Sequence, residues 1–299
     1  MQTTLAPLPI AMLIAAAAIY GLIFTFNDMA AAAGATFFGH AFWQTALGGS
    51  ALLIGCLLRG QRFSLRWLHL RAYIVVGAFG FGLPMALLTF VAPHLPAGIL
   101  SLVLALSPAF TYLGSVVLRM DRLSPYGLLG IALGFAGVAV VLVPDSALPS
   151  ADAASWFLLA LVTPIFLAVA NISAAVLRPP ETTSFVMGAG FLLGAALTLL
   201  PLMLIFGQAY VPTVDGLWLP TLGAATVNGV FIILFAEIVR RYGPTFFAQF
   251  NYLAVIAAIA WAALIFGDVP TVYVLVALAL MAAGVILAER RHRSGAKPA

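Results

Sequence analysis

His40, Trp43 and Gln44 stand together in an otherwise apolar stretch. A histidine and a glutamine at i and i+4 share one face of a helix. That face suits a polar solute, with His40 a candidate for proton coupling and Trp43 offering its ring face to an ammonium group. The same place, a few residues inside a membrane boundary, is also where structural histidines and interfacial tryptophans are common. Upstream, Tyr20, Phe24 and Asn27 fall at i, i+4 and i+7, again one face. Pro164, Ala168 and Asn171 repeat that spacing, and aligning Asn27 with Asn171 sets Asn-Asp-Met-Ala-Ala over Asn-Ile-Ser-Ala-Ala. An amide both donates and accepts, so such asparagines suit a zwitterion's carboxylate or amine. They equally suit interhelical hydrogen bonding, worth about 0.6 kcal/mol on average in membranes. Asn228, and Gln249 with Tyr252 three residues on, complete the substrate-binding candidates. Glu237 lies in an apolar stretch with Arg240 and Arg241 at i+3 and i+4, the spacing of a structural ion pair.

Enzyme chemistry has no constellation to work with. HExxH, GxSxG, paired membrane carboxylates and Cys/His clusters are missing from the sequence, and His69, His94 and His292 are scattered. The Gly80-Phe81-Gly82 stretch completes no phosphate loop, which argues against an ATP-driven pump within this chain. No metal site or cofactor is expected, and any transport must be secondary or facilitated.

The elements that would position these residues are membrane helices. Of the 299 residues, 64% are apolar and 7% charged, against roughly 45–50% and about 25% in soluble domains. A span needs about 20 apolar residues. Pro, Gly, charge clusters and polar turns divide the chain into ten, near 8–28, 35–58, 72–92, 96–118, 124–143, 154–177, 183–206, 216–239, 245–266 and 270–288. Charge tests that count. Arg59, Arg62, Arg66 and Arg71 follow span two; Arg119 and Arg122 follow span four; Arg178 follows span six; Arg240 and Arg241 end span eight; Arg290, Arg291, Arg293 and Lys297 follow span ten. All thirteen basic residues thus follow even-numbered spans, which predicts a multi-pass protein of the cell's inner membrane with both termini cytoplasmic. The formal charge of +4 is therefore no nucleic-acid signal. Ala30 to Ala35 resembles a signal-peptidase site, but the preceding run lacks Lys and Arg and exceeds a signal core, so no cleavage is expected. Cys56, the single cysteine, rules out an intramolecular disulfide.

The spans come in two sets. Asp121, Tyr126, Leu128, Ala132, Leu133, Ala136, Gly137 and Val138 recur as Asp268, Tyr273, Leu275, Ala279, Leu280, Ala283, Gly284 and Val285 without a gap. Five spans per copy make the second copy upside down relative to the first. The fold class is all-α, ten transmembrane helices as two inverted five-helix repeats, residues 1–148 and 149–299. Gly80, Gly82 and Pro84 in span three, Pro108 in span four and Pro164 in span six are hinge candidates, with Pro201 a further kink candidate. Gly130 to Gly134 and Gly190 to Gly194 fit the GxxxG spacing, for dimerisation or for packing within the bundle.

Leu106-Ser107-Pro108, Asp121-Arg122-Leu123-Ser124, Gly130 and Ala136-Gly137-Val138 resemble the EamA-type repeat of the drug/metabolite transporter superfamily, and Gly267-Asp268-Val269-Pro270-Thr271 with Ala283-Gly284-Val285 resembles it again. The turn acid, usually Glu in that family, is Asp in both copies, and Gln44 stands around where the family commonly has Arg. The resemblance implies an exporter or exchanger of small metabolites, amino acids first. It implies a cavity among spans one to four and six to nine, reached by alternating access, with spans five and ten peripheral. An exporter of lipophilic amines or drugs is the alternative, and a non-transporting scaffold or receptor a second. The expected partners are a small-molecule substrate and the lipid bilayer, with no nucleic acid. A monomer suffices for transport, and the oligomeric state stays open.

Overall fold

The computed structural model describes residues 7–120, 122–142, 152–177, 179, 182–212, 216–242 and 250–295. Those residues form helices and turns, with no strand among them. In chain order the helices are α1 (Pro7–Ala32), α2 (Phe37–Leu58), α3 (Trp67–His94), α4 (Ala97–Val117), α5 (Pro125–Leu142), α6 (Ala153–Val176), α7 (Ser184–Ile205), α8 (Trp218–Tyr242), α9 (Phe250–Phe266) and α10 (Val272–Gly295). The first eight contain stretches long and apolar enough to cross a bilayer, and α9 and α10 carry the shorter apolar segments Leu253–Phe266 and Val272–Gly284. Ten helices in this order are those the sequence predicts. α1 runs on to Ala32 because Asp28 is followed by alanines, the best helix formers. α3 begins at Trp67 rather than near 72, so Arg71 lies inside it, one turn from its exposed start.

Three helices are broken, and each break precedes a proline. A proline has no N–H for the carbonyl four residues before it. In α3, before Pro84, Ala78–Gly82 is a π-helical turn in which the Leu83 N–H reaches back to the Ala78 carbonyl. In α4, before Pro108, Leu102–Leu106 tightens to a 3-10 helix. In α6, Ala153–Ala160 and Val162–Val176 meet at a turn on Leu161, just before Pro164. α7 instead runs unbroken from Ser184 to Ile205 with Pro201 inside it, so that kink candidate interrupts nothing.

Helix packing is two-fold. The most extensive pairings are α5 with α10, α2 with α7, α1 with α9 and α8, α3 with α7, α2 with α8, and α4 with α6. Exchanging the halves turns α1–α9 into α6–α4 and α3–α7 into α8–α2, while α2–α7 and α5–α10 map onto themselves. The α2–α7 pair is antiparallel. Thr36, before α2, donates to the Gln208 carbonyl just after α7, and Thr183, before α7, donates to Gln61 Oε1 just after α2. Antiparallel corresponding helices are what inverted repeats require.

Glycines set the closest approaches. A Cβ on Gly284 of α10 would strike the Gly130 carbonyl of α5, and one on Gly137 of α5 would lie 2.8 Å from Met281 of α10. Gly190 and Gly194 of α7 lie against Tyr73 of α3. Both GxxxG spacings thus contribute packing surfaces inside the bundle.

Candidate functional site

The described arginines with placed side chains, Arg59, Arg62, Arg66, Arg71, Arg119, Arg122 and Arg241, lie at or near one end of the bundle, called here the basic end. The Arg-free end is where α1 finishes and α2 begins. There, three helices bring polar side chains into contact. Asn27 comes from the last turns of α1, His40 and Gln44 from the first turns of α2, and Thr221 and Asn228 from the first half of α8. All five are 0% exposed. In an apolar bundle such groups persist only when bonded to one another.

They form one chain. Asn228 Nδ2 donates to Gln44 Oε1 at 2.9 Å. Gln44 Nε2 therefore faces the Asn27 oxygen, Oδ1, at 3.4 Å. His40 Nε2 lies 3.2 Å from the same oxygen, which can only accept, so the proton of a neutral His40 sits on Nε2. That leaves His40 Nδ1 to accept from the Thr221 hydroxyl at 3.4 Å, with Tyr210 OH 3.3 Å from Thr221 Oγ1. Tyr210 lies between α7 and α8, where burial raises its phenol pKa and the Thr221 bond pulls the other way. The track thus runs from a loop at the Arg-free end to Asn228, ten residues into α8 and about 15 Å deep at 1.5 Å per residue. It stops there with an acceptor to spare: the Asn228 Oδ1 is buried and takes no hydrogen bond from the described residues. No ionised group belongs to this track, so what it offers is uncharged donors and acceptors.

The other candidates divide around it. Trp43 donates from Nε1 to the Tyr210 carbonyl at 2.8 Å, which fixes its ring as a brace for the loop. Phe24 and Tyr20 are buried one and two turns before Asn27 on α1, and Tyr20 packs on Phe231 and Phe250 at centroid distances of 4.4 and 5.5 Å. Asn171 does not join. It is exposed on α6 and donates to Thr111 of α4 at 3.2 Å. The α2 residues that bond Asn27 have no polar match on α7, where Met187 and Phe191 join an apolar cluster with Tyr73 and Ala170. Gln249 and the side chain of Tyr252 lie outside the described residues.

Glu237 accepts from Arg241 one turn on, the ion pair expected of it. The hinge candidates Gly80 and Gly82 form the π-turn, Pro84 and Pro108 open the segments after their breaks, and Pro164 follows the break in α6. Thr221 and Tyr210 were not foreseen: a threonine inside an apolar helix and a loop tyrosine carry no periodic signal. A cleft of about 230 Å³ lies apart from the track, between the starts of α4 and α10 and α9, and holds Asp268.

Residues 7–143 match the EamA-like transporter family. None of the curated proteins matches the chain. Among solved structures, one titled only as a crystal structure of a protein is similar over 95% of this chain and 98% of its own, with 21% identity and a TM-score of 0.63. At that identity the likeness concerns the fold.

Proposed function

We propose that the chain, whose residues 7–143 match the EamA-like transporter family, is a membrane transporter of the drug/metabolite type that exports small neutral or zwitterionic metabolites, amino acids foremost, by alternating access. The halves 1–148 and 149–299 rock against each other, and the basic end faces the cytoplasm, as the positive-inside rule directs. The observation that carries this reading is the buried track joining α1 and α2 of one half to α8 of the other through uncharged side chains. Helix movement that exposes it presents amide and imidazole groups to a solute, and the open Asn228 oxygen is placed to accept from an ammonium group. A lipophilic cation would want an acid in the bundle. Glu237 is engaged by Arg241, so the amine-exporter reading ranks second.

The test is flux from reconstituted vesicles loaded with a mixture of amino acids and amines. His40→Ala, Gln44→Ala and Asn228→Ala each lower efflux of the preferred solute about tenfold, the effect of losing about 1.4 kcal/mol of binding to a charged group. Tyr126→Phe, on the exposed face of α5, leaves efflux as it was. Three variants matching the wild type would remove the track from the transport path.

A further inference from the structure

The offset of 147 residues that pairs Asp121 with Asp268 also pairs Thr36 with Thr183, Phe38 with Phe185, Arg59 with Phe206, Gly60 with Gly207 and Gln61 with Gln208. These residues build the two ends of the antiparallel α2–α7 pair. Each helix finishes alike. Gly60 and Gly207 take positive φ values of 66° and 62°, and the following glutamine N–H turns back to its own helix, Gln61 to the Cys56 carbonyl and Gln208 to that of Met203. Each glutamine then meets the first turn of the opposite helix. The residue before each glycine also covers the opposing phenylalanine: Phe206 packs on Phe38 at 5.5 Å, and the Arg59 guanidinium lies 4.8 Å over the Phe185 ring. These are two equivalent clasps, one at each end of the bundle.

They are not equally shut. The first N–H groups of a helix need acceptors. At the Arg-free end they are met in trans: Gln208 Oε1 accepts from the Phe38 N–H at 2.9 Å, while Thr36 makes no cap bond to its own helix and donates to the Gln208 carbonyl instead. At the basic end Thr183 caps its own helix, accepting from the Val186 N–H at 3.2 Å, and gives Gln61 a single 3.3 Å bond. The sequence enforces the difference. A Cβ on Gly39 would come within 2.5 Å of the Gln208 carbonyl, and the residue at the matching place in the basic-end clasp is Val186. Trp43, which braces the Arg-free clasp through the Tyr210 carbonyl, is matched by Gly190.

We infer that the two clasps are unequal latches of one transport cycle, in which Gln208 caps α2 in trans and holds the Arg-free end shut at rest while Gln61 leaves the basic end free to part. This rests on the transport reading above and gives it a loading side: solute enters from the basic end, and release requires α2 to lose its cap.

The test uses the full chain in a Cys56→Ala background, reconstituted in lipid, with spin-label pairs at Ala35 and Ile205 for the Arg-free end and at Leu58 and Thr182 for the basic end. Gln208→Ala and Gly39→Val each raise the long-distance population of the first pair, about threefold per hydrogen bond removed, and leave the second pair no wider. Gln208→Glu keeps an acceptor oxygen at the start of α2 and keeps that end shut. Gln61→Ala widens only the second pair. Unchanged distances in the folded Gln208→Ala protein, or both glutamine variants opening the same end, overturn the inference. These shifts in the variants together with no flux through the wild-type chain sink the transport reading alone; normal flux with unmoved distances in the variants sinks the latches alone.

Discussion

Asn27 joins the buried track at a single atom, because its one oxygen serves both His40 and Gln44. Removing it orphans two buried donors, a loss of about 1–3 kcal/mol for each group. Asn27→Ala should lower the thermal stability of the detergent-solubilised protein well below that of Asn171→Ala. The latter gives up one bond on an exposed face, worth about 0.6 kcal/mol. Equal melting temperatures would mean the track is not closed as described. Asn27, His40, Gln44 and Asn228 were legible in the sequence because a polar residue in an apolar helix is conspicuous and must face protein. Asn171 shows the limit of that argument. A matching asparagine in the second repeat says nothing about whether its neighbours match too, and Met187 and Phe191 do not.

Helix by helix, backbone chemistry decided what hydropathy could not. Ten spans follow from apolar length, and their order and number hold, but the breaks follow from where prolines withhold a donor. Pro84, Pro108 and Pro164 produce a π-turn, a 3-10 stretch and a turn respectively, while the α7 helix passes through Pro201 unbroken. Spacing alone could not choose between these outcomes. The GxxxG spacings were ambiguous for the same reason, since a small residue signals close approach without naming the neighbour. Gly194 lies against the Tyr73 backbone, so Gly194→Ala should destabilise the fold by about 1–3 kcal/mol through overpacking. Among the described residues nothing lies within 4 Å of where a Cβ on Gly229 of α8 would sit, and Gly229→Ala should stabilise by up to about 1 kcal/mol through helix propensity. Denaturation of both variants in detergent checks the pair. A dimerisation role for the α7 glycines would instead show as a changed oligomeric state at unchanged stability.

For the molecule as a whole, repeat register and charge pattern carry the architecture, because five spans per copy leave an inverted arrangement as the consistent choice. The same register hid the clasps, since Gln61 and Gln208 fall just outside the spans, where hydropathy has nothing to say. The proposed orientation is open to direct measurement. Single reporter cysteines at Arg62 and Leu123 should react from one side of sealed cells, and those at Gly34 and Val211 from the other; labelling of Arg62 and Leu123 from opposite sides would contradict the inverted bundle.

Phe38 and the glutamine that caps it are 170 residues apart in the chain. A nascent polypeptide therefore inserts α2 with its first turn unfinished, and the deficiency lasts until the ribosome has added the whole of α7. Biogenesis of the first half must wait on the second. Expressed alone, residues 1–148 should be short-lived and readily degraded, and co-expression of residues 149–299 should rescue them less well when Gln208 is alanine.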